Sequence, residues 1–362
     1  MDSGVADNQH TPPPYDYQEI PDFTTTSSKK STITRTVVVT KHKSTTSLNS
    51  VIQSTLPTSL SVSSSVQSSA NNNNNIINNV ASSFNENGLL WGLTYSPYNT
   101  DGSCPDANAV ADQLAKVAKV TKNIRLYSTD CSQLENALQA ITSNNLGLSI
   151  HAGIWISDGQ ARMQSDLDQF VSAAKKFGTS LIKGVSVGNE DISKGMSEST
   201  LIDYINQVRS RLQAEGLGSI PVYTTEQDKL FTFNMAAASD KVVVNIHAIF
   251  DSQFYSIDAS VQSVIQRANN VKTKVASGKP VVIGETGWSS AGNTGSCPLT
   301  LANEIAFAQK FRCAADAAGY TYFYFEAKNA KWKKDAATSE QNFGIFDAGF
   351  TPKFDFNLLS VC

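Results

Sequence analysis

Glu190 and Glu285 are the residues with the most chemistry to offer. Each closes a short apolar run, Gly184-Val185-Ser186-Val187-Gly188-Asn189-Glu190 in one case and Val281-Val282-Ile283-Gly284-Glu285-Thr286-Gly287-Trp288 in the other. A run of this kind reads as a strand carrying a carboxylate on its end. In a barrel of parallel strands those ends converge, and two carboxylates across one pocket are the minimum equipment for cleaving a glycosidic bond.

The elements that must position them follow from the hydrophobic pattern. Eight apolar runs begin at Leu89, over residues 89–95, 123–127, 146–155, 182–190, 221–227, 242–250, 280–288 and 321–327. Between them, Val110, Leu114 and Val117, or Leu167, Phe170, Val171 and Ala174, recur at the spacing that gives a helix one buried face. Strand and helix alternating eight times predict an α/β fold, a (β/α)8 TIM barrel. A doubly wound sheet would need a glycine-rich phosphate loop after its first strand, where this chain reads Tyr95-Ser96-Pro97-Tyr98-Asn99.

With 362 residues, 40% hydrophobic and 17% charged, and a formal charge of -3, the chain can bury a large core and offers no electrostatic footprint for nucleic acid. Residues 1–85 are dominated by Ser, Thr and Asn and are expected to form a disordered low-complexity arm before a catalytic domain over 86–362. No apolar stretch approaches the roughly 20 residues of a membrane-spanning segment, and the acidic start carries no signal-peptide hydrophobic region. The Ser/Thr-rich composition suits a surface stalk and a cytosolic tail equally.

The predicted strand ends share a chemistry. Tyr95 and Tyr98 follow the first run, Tyr127 and Asp130 the second, Trp155 the third, and Asn189 stands beside Glu190. Glu226 ends the fifth, His247 lies on the sixth, Trp288 follows Glu285, and Glu326 ends the eighth, with Lys333 beyond it. Aromatic faces beside carboxylates and amides are what a sugar requires, because ring CH groups stack and hydroxyls pair with polar groups. The segment Gly184 to Gly188 also satisfies the G-x-S-x-G pattern of serine esterases. Ser186 lies inside an alternating run rather than on a turn, and His247 is the only later histidine, so the glutamates are the stronger reading. The four histidines form no ligand set, and neither metal nor cofactor is expected. His151 reads as an interior histidine.

Cys104 and Cys131 fall in the first two strand-to-helix loops, adjacent on the upper rim, where a bridge would brace Tyr98, Tyr127 and Asp130. Cys297 and Cys313 would be roughly 24 Å apart along one helix, too far to pair. Cys313 with Cys362 is then the favoured second bridge, and Cys297 the free thiol.

Val187-Gly188-Asn189-Glu190 and Ile283-Gly284-Glu285-Thr286-Gly287-Trp288 resemble the two signatures of glycoside hydrolase family 17. Tyr95-Ser96-Pro97-Tyr98, Ile124-Arg125-Leu126-Tyr127 with Asp130-Cys131, and Tyr322-Phe323-Tyr324-Phe325-Glu326-Ala327 followed by Trp332-Lys333 are similar to its fungal cell-wall branch. The resemblance implies a retaining β-1,3-glucanosyltransferase or endo-β-1,3-glucanase, with Glu190 as acid/base and Glu285 as nucleophile. It implies β-1,3-glucan or laminari-oligosaccharides as partner, a monomer, and a secreted or wall location. Only residues 228–241 separate the fifth and sixth runs, which matches the compact fungal type without a large extra subdomain. A retaining mechanism requires Glu190 to start protonated, its pKa raised by ionised Glu285 and by desolvation, with Asn189 placed for the sugar 2-hydroxyl. A glucan-binding wall protein using the same cleft is the alternative. The segment Lys328-Asn329-Ala330-Lys331 departs from the family, where an acidic pair and a proline are usual, and this puts the acceptor side in question.

Overall fold

Eight runs rich in β-branched and aromatic residues become eight strands. They are β1 (Leu93–Thr94), β2 (Asn123–Arg125), β3 (Ser149–Ile154), β4 (Ile182–Asn189), β5 (Val222–Gln227), β6 (Val242–Asn245), β7 (Val281–Thr286) and β8 (Thr321–Tyr324). The computed structural model describes residues 89–251, 256–293, 297–334 and 336–362. The strands pair in parallel and in sequence order, and β1 closes on β8, so the expected barrel is the observed fold. The arm expected over residues 1–85 lies outside the described residues.

The connecting helices are α1 (Ala107–Val117), α2 (Gln133–Ser143), α3 (Gln160–Phe177), α4 (Glu198–Ala214), α5 (Phe233–Ala238), α6 (Ile257–Lys274) and α7 (Leu301–Ala318). Five start on a side-chain cap, where Asp106, Ser197, Thr232, Ser256 or Thr300 accepts a hydrogen bond from the backbone N–H three residues on. Such caps are worth about 1 kcal/mol each. The stripe Val110, Leu114, Val117 is fully buried, as are Leu167, Phe170 and Ala174 on α3. The alternation stops short of its eighth helix. After β8 the described chain runs through Gly349 and Pro352 into a single 3₁₀ turn, Phe356–Ser360.

Aromatic side chains plug the lower end of the barrel. Trp91, Tyr223, Val243, Val282 and Phe323 pack together there, and the His151 ring lies 4.9 Å from that of Phe323. The His151 Nδ1 is 3.1 Å from the Tyr223 hydroxyl, and burial takes the imidazole down to about 3, so it is a neutral interior group. A sealed lower end leaves the upper end, where the strands finish, as the place for a cleft.

Three interruptions of the ladder decide what faces that cleft. Between β4 and β5 the register runs from Ser186↔Tyr223 to Asn189↔Thr225, three steps against two. Between β6 and β7 it runs from Val244↔Ile283 to Asn245↔Glu285, and between β7 and β8 from Ile283↔Tyr322 to Thr286↔Tyr324. Strict alternation from inward-facing Val282 would turn Glu285 outward to the helices; the extra residue at Gly284 turns it in. A Cβ at Gly284 would lie 2.8 Å from both Asn245 Oδ1 and Val243 Cγ1, so only glycine fits. On β4 the extra residue directs Asn189 inward, and Glu190 follows in the left-handed region at φ 57°. That conformation costs about 1–3 kcal/mol in a non-glycine residue. Its N–H donates to Thr225 O at 2.9 Å, and its carbonyl accepts from Ser193 Oγ at 2.7 Å, which hold it there.

Two disulfides frame the barrel. Cys104 pairs with Cys131 across the first two loops, Cα atoms 5.2 Å apart, and Cys313 of α7 pairs with Cys362 at 5.5 Å. The Cys297 thiol is free and buried just ahead of α7. No helix among the described residues is long and apolar enough to cross a membrane.

Candidate active site

At the upper end, Glu190 and Glu285 line one narrow cleft together with Asn189, His247, Phe250, Phe325, Lys333, Glu340 and Phe343. The two carboxylates are held in different ways. Glu285 Oε1 accepts from Arg125 Nη1 and from the Tyr127 hydroxyl, each at 2.9 Å, and Oε2 lies 3.2 Å from His247 Nε2. Burial works against its charge. The His247 hydrogen bond, the Arg125 guanidinium and Tyr127 outweigh burial and bring Glu285 down to about 2. Glu190 faces neutral amides instead: Oε1 accepts from Asn245 Nδ2 at 2.8 Å and Oε2 from Gln227 Nε2 at 3.4 Å. Burial first, and the Glu285 charge second, push Glu190 above the usual carboxylate range.

Arg125 organises the floor. Its other nitrogen donates to Asn189 Oδ1 at 2.7 Å, while Nη1 also reaches Gly284 O at 2.9 Å. Asn245 Nδ2 is 3.1 Å from the same Asn189 oxygen. One buried cation thus ties the residue before Glu190 to the residue before Glu285 and fixes the relative placement of both.

Of the residues singled out by sequence, Asn189, Glu190, His247, Glu285 and Lys333 line the cleft, and Tyr127 reaches it through Glu285. Glu326 is buried behind it, 4.0 Å from Lys333 Nζ, and burial lifts its carboxyl to about 7 despite the lysine. Asp130 is enclosed by Tyr98, Ser128, Gln133 and Arg162, and Tyr98 leans on Trp332 with ring centroids 4.9 Å apart, so this pair braces the rim beside the Cys104–Cys131 bridge. Trp155 is buried under Lys194, whose Nζ is 4.5 Å from the ring.

Three expected sugar contacts are corrected. Tyr95 is on the helix side of its strand, donating to Gln113 Oε1 at 2.8 Å and packing on Phe350. Trp288 packs on Phe307 of α7, with Nε1 3.4 Å from Pro298 O. Glu226 alternates away from its neighbour Gln227 and accepts from the backbone N–H groups of Ile192 and Gln227, both at 2.8 Å, with burial lifting it to about 8. The Lys328–Lys331 segment is packed rather than lining an acceptor side. Lys328 is buried 3.5 Å from Pro97 O, and Ala330 lies under Tyr98 and Trp332.

Arg125, Gln227, Asn245 and Glu340 belong to the site and were not singled out by sequence. Arg125 carried a signal, a lone cation between apolar Ile124 and Leu126 on an interior strand. Asn245 interrupts the apolar sixth run between Val244 and Ile246, and Gln227 ends the fifth beside Glu226. Glu340 lies in a segment with no periodicity and gave no signal. Ser186, the centre of the esterase pattern, is buried with its Oγ 2.9 Å from Gly188 O and 2.8 Å from Thr225 Oγ1. Both His151 and His247 are engaged elsewhere, so among the described residues Ser186 has no histidine base.

The chain matches the model of the BtgE/BtgC glycoside hydrolase domain over residues 92–344. It is 35% identical over 262 residues to the probable family 17 glucosidase SCW10 of Saccharomyces cerevisiae, covering 71% of this chain and 64% of that protein. It is 29% identical over 275 residues to the probable glucan endo-1,3-beta-glucosidase btgC of Aspergillus terreus, covering 69% of this chain and 42% of that protein. Its matched region thus spans about two fifths to under two thirds of these relatives. Its fold is that of the family 17 β-1,3-glucanosyltransferase from Rhizomucor miehei, with TM-score 0.65 and 24% identity over 73% of this chain and 96% of that one. An active-site mutant of that enzyme has been solved with laminaritriose.

Proposed function

Since the chain belongs to the BtgE/BtgC glycoside hydrolases, in the fungal branch of glycoside hydrolase family 17, we propose that it is a retaining enzyme acting on β-1,3-glucan. Glu285 is the nucleophile and Glu190 the acid and then the base. The observation that carries this reading is the contrasting surroundings of the two carboxylates in one cleft, Glu285 bonded to Arg125, Tyr127 and His247 and pushed toward the charged form, Glu190 bonded to the amides of Asn245 and Gln227 and pushed the other way by burial and by its neighbour's charge.

Glu285 attacks the anomeric carbon as Glu190 gives its proton to the departing glycosidic oxygen, leaving a glucosyl ester on Glu285 and a carboxylate on Glu190. Esterification removes the Glu285 charge that had raised Glu190, so the Glu190 carboxylate left by the first step stays ionised, ready to act as base. It then takes the proton of a water or of a sugar hydroxyl, whose oxygen attacks the anomeric carbon and frees Glu285. Water gives hydrolysis, a glucan hydroxyl gives transfer. Asn189 has its oxygen occupied by Arg125 and Asn245, which turns its amide N–H toward the role of donor to the sugar 2-hydroxyl. The reading includes a monomer working on cell-wall glucan, in keeping with the family resemblance.

Incubation with laminari-oligosaccharides of defined length tests it, with products resolved by size beside Glu285→Ala. Products longer than the substrate, absent from the variant, are the outcome expected of transfer, and shorter products alone that of hydrolysis. Binding without turnover would replace the enzyme by a glucan-binding protein.

A further inference from the structure

Asp191 follows Glu190 in the chain and is 2% exposed, yet it is not among the residues that line the cleft. Its carboxylate turns back along the chain. Oδ2 accepts the Asn189 N–H at 2.8 Å, and Oδ1 accepts from the Ser157 hydroxyl in the loop after β3. On the other side of the same residue, the Asn189 carbonyl accepts from Lys194 Nζ at 2.9 Å. That ammonium lies over the Trp155 ring and 3.4 Å from Ser157 Oγ. Opposite charges therefore hold the N–H and the C=O of the residue whose carbonyl carbon is bonded to the Glu190 nitrogen. Gly188 is what lets the carboxylate in, because its φ is +79° and a Cβ there would collide with Asp191 Oδ2.

Burying a carboxyl costs free energy unless its oxygens are bonded. Burial pushes Asp191 up, and the Lys194 charge, the Ser157 hydroxyl and the Asn189 N–H draw it back down. The place it occupies gives that arrangement a use. Glu190 is in the left-handed region, a conformation that persists only where its surroundings over-determine it. Thr225 and Ser193 hold Glu190 itself, Glu226 holds the Ile192 N–H beyond it, and Asp191 and Lys194 fix the residue before it. Glu285 shares none of these bonds, since Arg125, Tyr127 and His247 brace it. We infer that Asp191, together with Lys194, is a positioning residue for the acid/base: the pair clamps Asn189 so that the Glu190 carboxyl stays within reach of the glycosidic oxygen. This rests on the assignment of Glu190 as the acid/base, and it deepens that assignment by naming what aims the group.

The test compares two substrates in the wild type, Asp191→Ala, Asp191→Asn, Lys194→Met and Glu190→Ala. Laminari-oligosaccharides leave as an alcohol that must be protonated, whereas a dinitrophenyl β-laminaribioside releases a phenolate that needs no proton, read as the burst of the first turnover. Asp191→Ala should lose about tenfold to a hundredfold in kcat on the oligosaccharide, with KM within about twofold and the burst rate within about threefold of wild type. Asp191→Asn retains an oxygen for the Asn189 N–H and should recover most of that loss. Lys194 is exposed, so Lys194→Met keeps its fold and decides the matter if Asp191→Ala does not fold; it should lose about threefold to tenfold with the same preference for the activated substrate. Equal losses on both substrates, or no loss on either in folded variants, overturn the clamp and leave the enzyme reading standing. A Glu190→Ala variant that keeps its oligosaccharide rate overturns the acid/base assignment itself. No cleavage by the wild type overturns both readings.

Discussion

His247→Phe is the substitution that most directly probes how Glu285 is kept charged. It leaves an aromatic ring among Phe250, Phe325 and Phe343, 5.4–5.9 Å between centroids in the native protein, and deletes the nitrogen 3.2 Å from Glu285 Oε2. Glu285 stands at about 2 against an ordinary 4.5, although burial alone would raise it. That difference corresponds to roughly 3 kcal/mol of preference for the carboxylate. The largest opposing influence is the His247 hydrogen bond, followed by the charges of Arg125 and His247 and the Tyr127 hydroxyl. His247 thus supplies two of the four lowering influences, its hydrogen bond the largest of them, and deleting it should raise the Glu285 carboxyl. On the proposed mechanism the acid limb of kcat/KM reports Glu285 in the free enzyme and should move up by on the order of one pH unit. The alkaline limb should rise less, because the His247 charge also lowers Glu190. Initial rates on laminari-oligosaccharides from pH 2.5 to 8, with melting curves at each pH, measure both limbs. An acid limb that stays in place in a folded variant refutes the electrostatic account of the nucleophile.

Ser186→Ala should keep activity within about twofold and cost about 1 kcal/mol, since its hydroxyl only ties Gly188 to Thr225; loss of turnover at an unchanged melting temperature would restore the esterase reading. Replacing Cys104 and Cys131 together by serine should cost about 3.5 kcal/mol for a 27-residue separation, and the Cys313–Cys362 pair about 4 kcal/mol for 49, measured by denaturant unfolding. Stability should fall as pH rises from about 5 to above 8. Burial raises Glu226 to about 8 and Glu326 to about 7, so between 4.5 and those values the folded chain binds protons that the unfolded chain has released. Melting temperatures should drop by on the order of 15 °C across that range, and less in Glu226→Gln; a flat or rising profile contradicts the burial of these carboxyls as uncharged groups.

The barrel was legible because eight buried strands with amphipathic helices between them leave a strong periodic trace. Glu190 and Glu285 were legible because a carboxylate closing an apolar run has few reasons to be there. What alternation cannot report is where it breaks. The extra residues on β4 and β7 reverse the faces that a period of two assigns, which brings Asn189 and Glu285 inward. Near the same rim, Tyr95, Trp288 and Glu226 look like sugar contacts by position, yet their side chains belong to the helix layer or to backbone amides. Arg125 contacts residues 64 to 160 positions away in sequence, a kind of partnership that spacing along the chain does not encode.

Three of the four register shifts fall in the upper rungs of the sheet, and the fourth, at Ile150/His151 where β3 meets β4, lies beside the aromatic plug that closes the barrel below. Misregistered rungs carry fewer backbone bonds, so amide exchange should be faster at Gly188, Asn245 and Gly284 than at Val185, Val243 and Val282. The barrel is in effect two storeys. The lower one is held by its packed side chains as much as by its ladder. The upper one is already released from the repeat of the ladder and can change its side chains without asking the strands beneath to slide.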